Sequence, residues 1–407
     1  MAKSKKGDWF AVIGLGLGVL FAAGIGLYSF LSSMATPLHP NPQEVPSVTR
    51  GTPAPEWTGA IAQARELART GLVENNLPGL SVAVGAGGDI VWAEGFGWAD
   101  IEKRAPVTPE TRFRIGHASK ALTSAGVGLL LERDRLQLGD DIQTYVPAFH
   151  GKQWPVALRQ LMGHVAGVRH YRNDVDSMPS AHCERASEGV QGFADDPLLF
   201  EPETQYKYST FGWVLVSAAV EAAAGEPFFT FMRTKIFAPL GMSATTADSA
   251  TESIADRATF YYPRLSGDPS LGAEPARPVD YSCFAGAGAF LSTPSDLVRF
   301  GAALDAGKLL TRATVRKLQT PQALASGKET EYGLGWMLET VTLAGEPTRV
   351  AGHASRTPVG GSTSFLTFPE RGLVVAVTSN ISFAETRSIA LNIAEAFAAQ
   401  RKAAGGE

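Results

Sequence analysis

Between Trp9 and Leu31 no charged side chain interrupts the apolar positions, and at about 1.5 Å per helical residue the run is long enough to cross a bilayer. The pattern then stops: residues 32–55 carry Pro37, Pro40, Pro42, Pro46, Pro53 and Pro55 with few large apolar side chains, which predicts an extended, unpacked tether. From Glu56 to Asn75 the residues Trp57, Ile61, Ala64, Leu67, Ala68 and Leu72 recur at helical spacing, and Pro78-Gly79 ends that helix. Two strand-like runs, Leu80–Val84 and Ile90–Ala93, flank the turn signal Gly87-Gly88-Asp89 and predict a hairpin. Helical periodicity dominates from Lys120 to about residue 320. Strand-like segments return at Leu334–Leu338, Ser364–Phe368 and Leu373–Thr378, before a last helical stretch, Ala384–Ala399. Strands at both ends with helices between them predict an α+β fold, an antiparallel sheet flanked by helices with a helical insertion at about 140–325.

Lys3, Lys5 and Lys6 precede the apolar run, so the positive-inside rule leaves residues 1–8 in the cytoplasm and residues beyond 32 outside. The expected division is a span at 9–31, a Pro-rich linker at 32–55 and a folded domain at 56–402. A cleaved signal peptide is the rival reading, with Ser33-Met34-Ala35 as cleavage site, but the run exceeds the usual apolar core of about 7–15 residues. Gly14 and Gly18 have the spacing of a helix-packing pair, a spacing that glycine-rich spans also produce without one. Hydrophobic content of 44% and charged content of 19% exclude wholesale disorder, and a net charge of −4 offers no basic face for nucleic acid. Cys183 and Cys283 are the only cysteines; export permits a bridge between them without requiring one.

Chemistry concentrates in three places. Phe113-Arg114-Ile115-Gly116-His117-Ala118-Ser119-Lys120 opens an apolar helix, with His117 and Lys120 one turn apart on a single face. Tyr208-Ser209-Thr210 and Gly352-His353-Ala354-Ser355-Arg356-Thr357 follow. Together with Pro78–Val84, Gly95–Asp100, Leu161–Tyr171, Pro239–Met242, Ala285–Gly288, Leu291–Thr293 and Tyr332–Trp336, these residues resemble the class C β-lactamase and penicillin-binding-protein superfamily of serine hydrolases. Within it they are most similar to the subgroup of mitochondrial serine β-lactamase-like proteins and their bacterial relatives. The resemblance implies a β-lactamase/transpeptidase-like fold and a pocket lined by three motifs. The first is G-S-x-x-K, a serine nucleophile with its lysine base. Here His117 stands at the serine's position beside Lys120, and Ser119 has Leu122 three residues on. The second, Y-x-N, is matched by Tyr208 and Thr210, with Thr retaining a hydroxyl but not the amide donors. The third, K-T-G or H-T-G, is matched by His353, with Ala354 lacking the hydroxyl. Ser355 and Arg356 stand where small glycines are usual, and either side chain would press on the oxyanion hole.

The resemblance therefore implies a catalytic set of His117, Lys120 and Tyr208, and substrate contacts from Thr210, His353 and Ser355, with no cofactor and no metal. The expected function is a membrane-anchored relative of serine hydrolases that binds a peptide or cell-wall-like ligand with impaired or absent hydrolysis, at a bacterial inner membrane with its domain outside. Two alternatives stay open: an active peptidase, esterase or β-lactamase using another nucleophile, and His117-based general-base or metal chemistry with His353. His164 and His170 are expected to hold the fold, His39 to lie in the tether, and His150 and His182 in surface loops. Thr314 to Lys317 repeats the T-x-x-K spacing on what reads as a solvated helix face.

Overall fold

A computed structural model describes residues 6–33, 37–51, 54–179, 181–265, 267–356, 358 and 360–405. The strands in chain order are β1 (Ser47–Thr49), β2 (Gly79–Ala86), β3 (Asp89–Asp100), β4 (Ala105–Pro106), β5 (Phe113–Arg114), β6 (Thr246–Ala247), β7 (Tyr261–Pro263), β8 (Ala273–Pro275), β9 (Phe290–Ser292), β10 (Met337–Leu343), β11 (Glu346–Arg356), β12 (Ser362–Phe368) and β13 (Leu373–Ser379). The main sheet runs β1-β3-β2-β13-β12-β11-β10, antiparallel throughout, with β4 on β3. Its centre joins the first hairpin to the last strand, Val82 opposite Val377, so the two ends of the domain close on each other. β5, β9 and β6 form a small separate sheet, and β7 pairs with β8 while its Tyr261 also bridges Ile381.

The helices are α1 (Lys6–Ser33), α2 (Thr58–Glu74), α3 (Ser119–Leu131), α4 (Leu158–Met162), α5 (Asp174–Ser177), α6 (Thr210–Ala224), α7 (Phe228–Phe231), α8 (Pro294–Asp305), α9 (Arg312–Leu318) and α10 (Thr386–Gly405). α2 and α10 cover one face of the sheet and α8 the other. The uninterrupted apolar run of β13 follows from burial on both faces: Leu373, Val375 and Val377 enter the core beneath α2 and α10, whereas Val374 and Ala376 enter the core shared with α3, α6 and α8. Large side chains face α2 and α10, while Ala83, Ala93 and Ala376 let the opposite layer approach. Trp213 of α6 and Trp336 are fully buried in that second core.

Two features depart from the sequence reading, and one that it left open is decided. The linker is not a free tether, because residues 38–49 dock on the domain. Leu38 N–H donates to Asn76 at 2.7 Å, His39 is buried against Pro78 O at 3.0 Å, Val45 is buried, and β1 pairs with β3. A short edge strand needs mainly backbone partners, so the lack of large apolar residues did not prevent packing. The strand expected at Leu334–Leu338 begins at Met337, because Gly335 adopts φ +97° and turns the chain. Cys183 and Cys283 are bonded to each other across a separation of 100 residues, tying the 181–189 loop to the turn at 282–287. α1 stands clear of the domain: its window Ile13–Phe30 is unburied with mean hydropathy 1.9, which suits either a membrane span or a signal sequence.

Candidate functional site

The site lies where the start of α3, the start of α6 and the end of β11 meet. A tight turn at Gly116, φ +50°, delivers His117 into the cleft and places Lys120 in the first turn of α3. Ser209 caps α6 by accepting the Gly212 N–H at 2.9 Å, and its hydroxyl donates to Arg169 O at 2.7 Å. That cap fixes Tyr208 on one side of it and Thr210 on the other. On β11 the alternation of side chains separates neighbours: His353 and Ser355 point into the cleft and are almost fully buried, whereas Arg356 reaches the far side, donating to Phe383 O and pairing with Glu385 at 3.2 Å. Of the two side chains expected to press on the oxyanion hole, only Ser355 faces the cleft.

The six residues singled out from the sequence converge. His117 Nε2 is 3.3 Å from Thr210 Oγ1, and its ring centroid lies 5.2 Å from that of Tyr208 and 6.5 Å from that of His353. The backbone N–H of His117 donates to Ser355 Oγ at 3.2 Å. Lys120 Nζ donates to Ala287 O at 2.9 Å and sits 5.1 Å from the Tyr208 ring centre. Lys120 is completely buried, and burial holds its amine well below the usual lysine range.

Four residues join the set without having been assigned there. His164, held at φ +61°, accepts the Ser209 N–H on Nδ1 at 3.1 Å and stacks on Tyr208 with centroids 4.1 Å apart. His170 accepts the Thr210 N–H at 3.2 Å, with its ring 6.4 Å from that of His117. Both histidines hold the fold as expected, and both also line the cleft. Tyr332 shares a hydrogen bond with His353 Nε2 at 2.9 Å. Ala287 contributes only a carbonyl, which no side-chain pattern advertises. Its turn is strained, with Ala285 at φ 43° and ψ −128°.

No carboxylate is among these groups, and the electrostatics follow from that. Burial first, then the basic neighbours Lys120, His353, His170 and His164, hold His117 well below the ordinary imidazole range. The same causes lower His164 and His353 strongly, and His170 to about 4. Burial raises the phenols of Tyr208 and Tyr332 well above 10. The histidines of the cleft are thus held toward their neutral form, and three buried polar atoms, Tyr208 OH, His164 Nε2 and His353 Nδ1, have no hydrogen-bond partner among the described residues. His353 Nε2 is committed to Tyr332, and among the described residues no three His, Cys, Asp or Glu side chains are grouped to hold a metal ion. His39 is buried away from the cleft, His150 is exposed, and His182 pairs with Asp280 at 2.9 Å on the surface. Lys317 is exposed on α9, but Thr314, expected on the same solvated face, is half-buried and faces Gly128 of α3.

The beta-lactamase family model matches residues 60–400, so the chain belongs to the beta-lactamase family. It is 29% identical to the human mitochondrial serine beta-lactamase-like protein LACTB, over 88% of this chain and 84% of that one. It is 26% identical to penicillin-binding protein 4* of Bacillus subtilis, over 74% and 67% of the two chains. Among solved structures, FmtA from Staphylococcus aureus superposes with a TM-score of 0.69 at 20% identity, covering 92% of this chain and 94% of that one, a likeness of fold. The fold is therefore β-lactamase/transpeptidase-like, an antiparallel sheet flanked by helices.

Proposed function

We propose that this chain is an anchored, non-hydrolytic member of the family whose cleft binds the carboxylate end of a peptide or cell-wall-like fragment. The observation that carries the reading is the imidazole of His117 where the fold presents its nucleophile, with the backbone N–H of the same residue occupied by Ser355 Oγ. Acyl transfer needs an activated hydroxyl beside its base and a free N–H for the developing oxyanion. Position 117 supplies neither. Loss of the nucleophile alone removes on the order of 10⁴–10⁶ in turnover in comparable hydrolases. Unpartnered donors at Tyr208 and His164 and a buried amine at Lys120 are suited to an anionic group that brings its own acceptors. The apolar helix α1, the lysines before it and the bonded cysteine pair support an exported domain at a bacterial inner membrane.

The test is intact-protein mass spectrometry after exposure of the purified chain to a fluorophosphonate and to a penicillin, beside calorimetry with a D-Ala-D-Ala-ended peptide. The reading expects no covalent adduct and saturable peptide binding that weakens in Lys120→Met. A stoichiometric adduct refutes it. One observation favours an active hydrolase as the second reading: Ser355 places a buried hydroxyl at the same corner as His117. An adduct mapped to Ser355 would establish that alternative.

A further inference from the structure

Beside β8, a hollow of about 350 Å³ is lined by Arg114, Arg257 and Arg277 together with Phe260, and among the described residues no acidic residue lines it. Arg114 is buried between the Phe260 and Tyr281 rings, its guanidinium carbon 4.2 and 4.9 Å from their centres, and pairs with Asp248 at 2.6 Å. Arg257 pairs with the same carboxylate at 3.3 Å and donates to Ser249 O at 2.7 Å. Asp248 is itself buried, so one shielded carboxylate serves two guanidinium groups. Arg277 is exposed and, among the described residues, makes no hydrogen bond or ion pair. Its backbone is nonetheless stiff, since Pro275 and Pro278 bracket it and a residue before proline is confined to extended conformations. Arg114 and Arg257 have folding tasks; Arg277 has none, yet it is held over the hollow.

We propose that this hollow is a binding site for a phosphate group, distinct from the cleft around His117. Guanidinium forks match the paired oxygens of a tetrahedral anion, and three guanidinium groups around the single carboxylate of Asp248 leave the concave wall net positive, which concentrates the field there. The volume admits a phosphoester with its first attached carbons, and Phe260 offers an apolar surface for them. Because the same chemistry is offered by a soluble phosphoester and by a phospholipid headgroup, the source is settled by the membrane in which the protein is held.

The test is calorimetric titration of the full chain in phosphatidylcholine nanodiscs with inorganic phosphate, at ionic strength balanced with chloride. One saturable site is expected, about tenfold or more weaker in Arg277→Gln and unchanged in Lys317→Gln, which removes an equal charge from the face of α9. No saturable binding, or equal loss in both variants, overturns the proposal. Arg277 has no structural partner, so its variant should fold, and matched melting temperatures check this. Repeating the titration in nanodiscs that contain phosphatidylglycerol assigns the source. Loss of the Arg277-dependent signal there identifies a headgroup as occupant, and its persistence identifies a soluble phosphoester.

Discussion

The helical wall of the cleft, built from α3, α6 and the turn at 285–288, holds Lys120, Tyr208 and Thr210 through caps and backbone carbonyls. The strand wall, the end of β11, presents His353 and Ser355 to the cleft. The helical wall keeps its supports: Ser209 caps α6, Ala287 O receives Lys120, and the Cys183–Cys283 bond fastens the turn that carries Ala287. On the strand wall a serine hydroxyl takes the N–H that the other wall presents at position 117. Architecture and chemistry are separable here, because backbone geometry secures the first and a few side-chain atoms decide the second.

The largest expected effect lies in the helical wall. Replacing both cysteines by serine removes a link closing a 100-residue loop and should cost about 2–5 kcal/mol, read from denaturant unfolding. A change below about 0.5 kcal/mol would show that the turn stands without the bond. Gly286→Ala comes next. Its added Cβ would lie 2.1 Å from Thr123 Oγ1 and 2.5 Å from Phe228, so a destabilisation of about 1–3 kcal/mol is expected. Because Lys120 is bonded one residue away, hydrogen exchange at Ala287 and Gly288 should rise in that variant.

Acidification strains both walls together. His117, His164, His170 and His353 all have folded-state affinities for protons below the ordinary value of 6.5. The unfolded chain therefore binds protons that the folded cleft refuses, and stability rises with pH across that interval. It should be complete above about 6.5 and decline as pH falls, to about 4 for His170 and further for the other three. Melting temperature measured from pH 7.5 to 5 in an Asp305→Asn background checks this, since burial raises that one carboxyl to about 6 and into the same interval. A flat profile would mean that the histidines are not held neutral by burial. The smallest effect belongs to the strand wall: Ser355→Gly should change stability by about 1 kcal/mol or less, since it removes one small side chain from a strand whose backbone pairing with β12 stays in place.

The unequal walls were also unequally legible. Spacing alone places His117 and Lys120 on one face and joins Tyr208 to Thr210, because helix and cap periodicities are local. That Lys120 ends on Ala287 O was hidden, since a carbonyl in a strained turn leaves no side-chain signature. His164 and His170 read as supports for the fold, and their pocket role arises only when Ser209 and Thr210 bring α6 against them. The period of two along β11 separates Ser355 from Arg356, but which of them faces the cleft depends on register. The docked segment at 38–49 was misread as a tether because its hold is β1 backbone pairing plus His39 and Val45, too few side chains to register as a core. Two cysteines in a chain of this length allow a bond without specifying it.

In the proposed function the helical wall remains competent, and positions 117 and 355 block the chemistry. The most direct measurement is the rate of fluorophosphonate labelling, by intact mass, of the natural chain, His117→Ser, and His117→Ser with Ser355→Gly. No adduct is expected on the natural chain, and slow labelling is expected of the single variant, whose new hydroxyl stands one turn from Lys120. The double variant, with the N–H at 117 freed for the oxyanion, should label about 10²-fold or more faster than the single one. Equal rates for the two variants, or labelling of the natural chain at the same serine-directed rate, would contradict it.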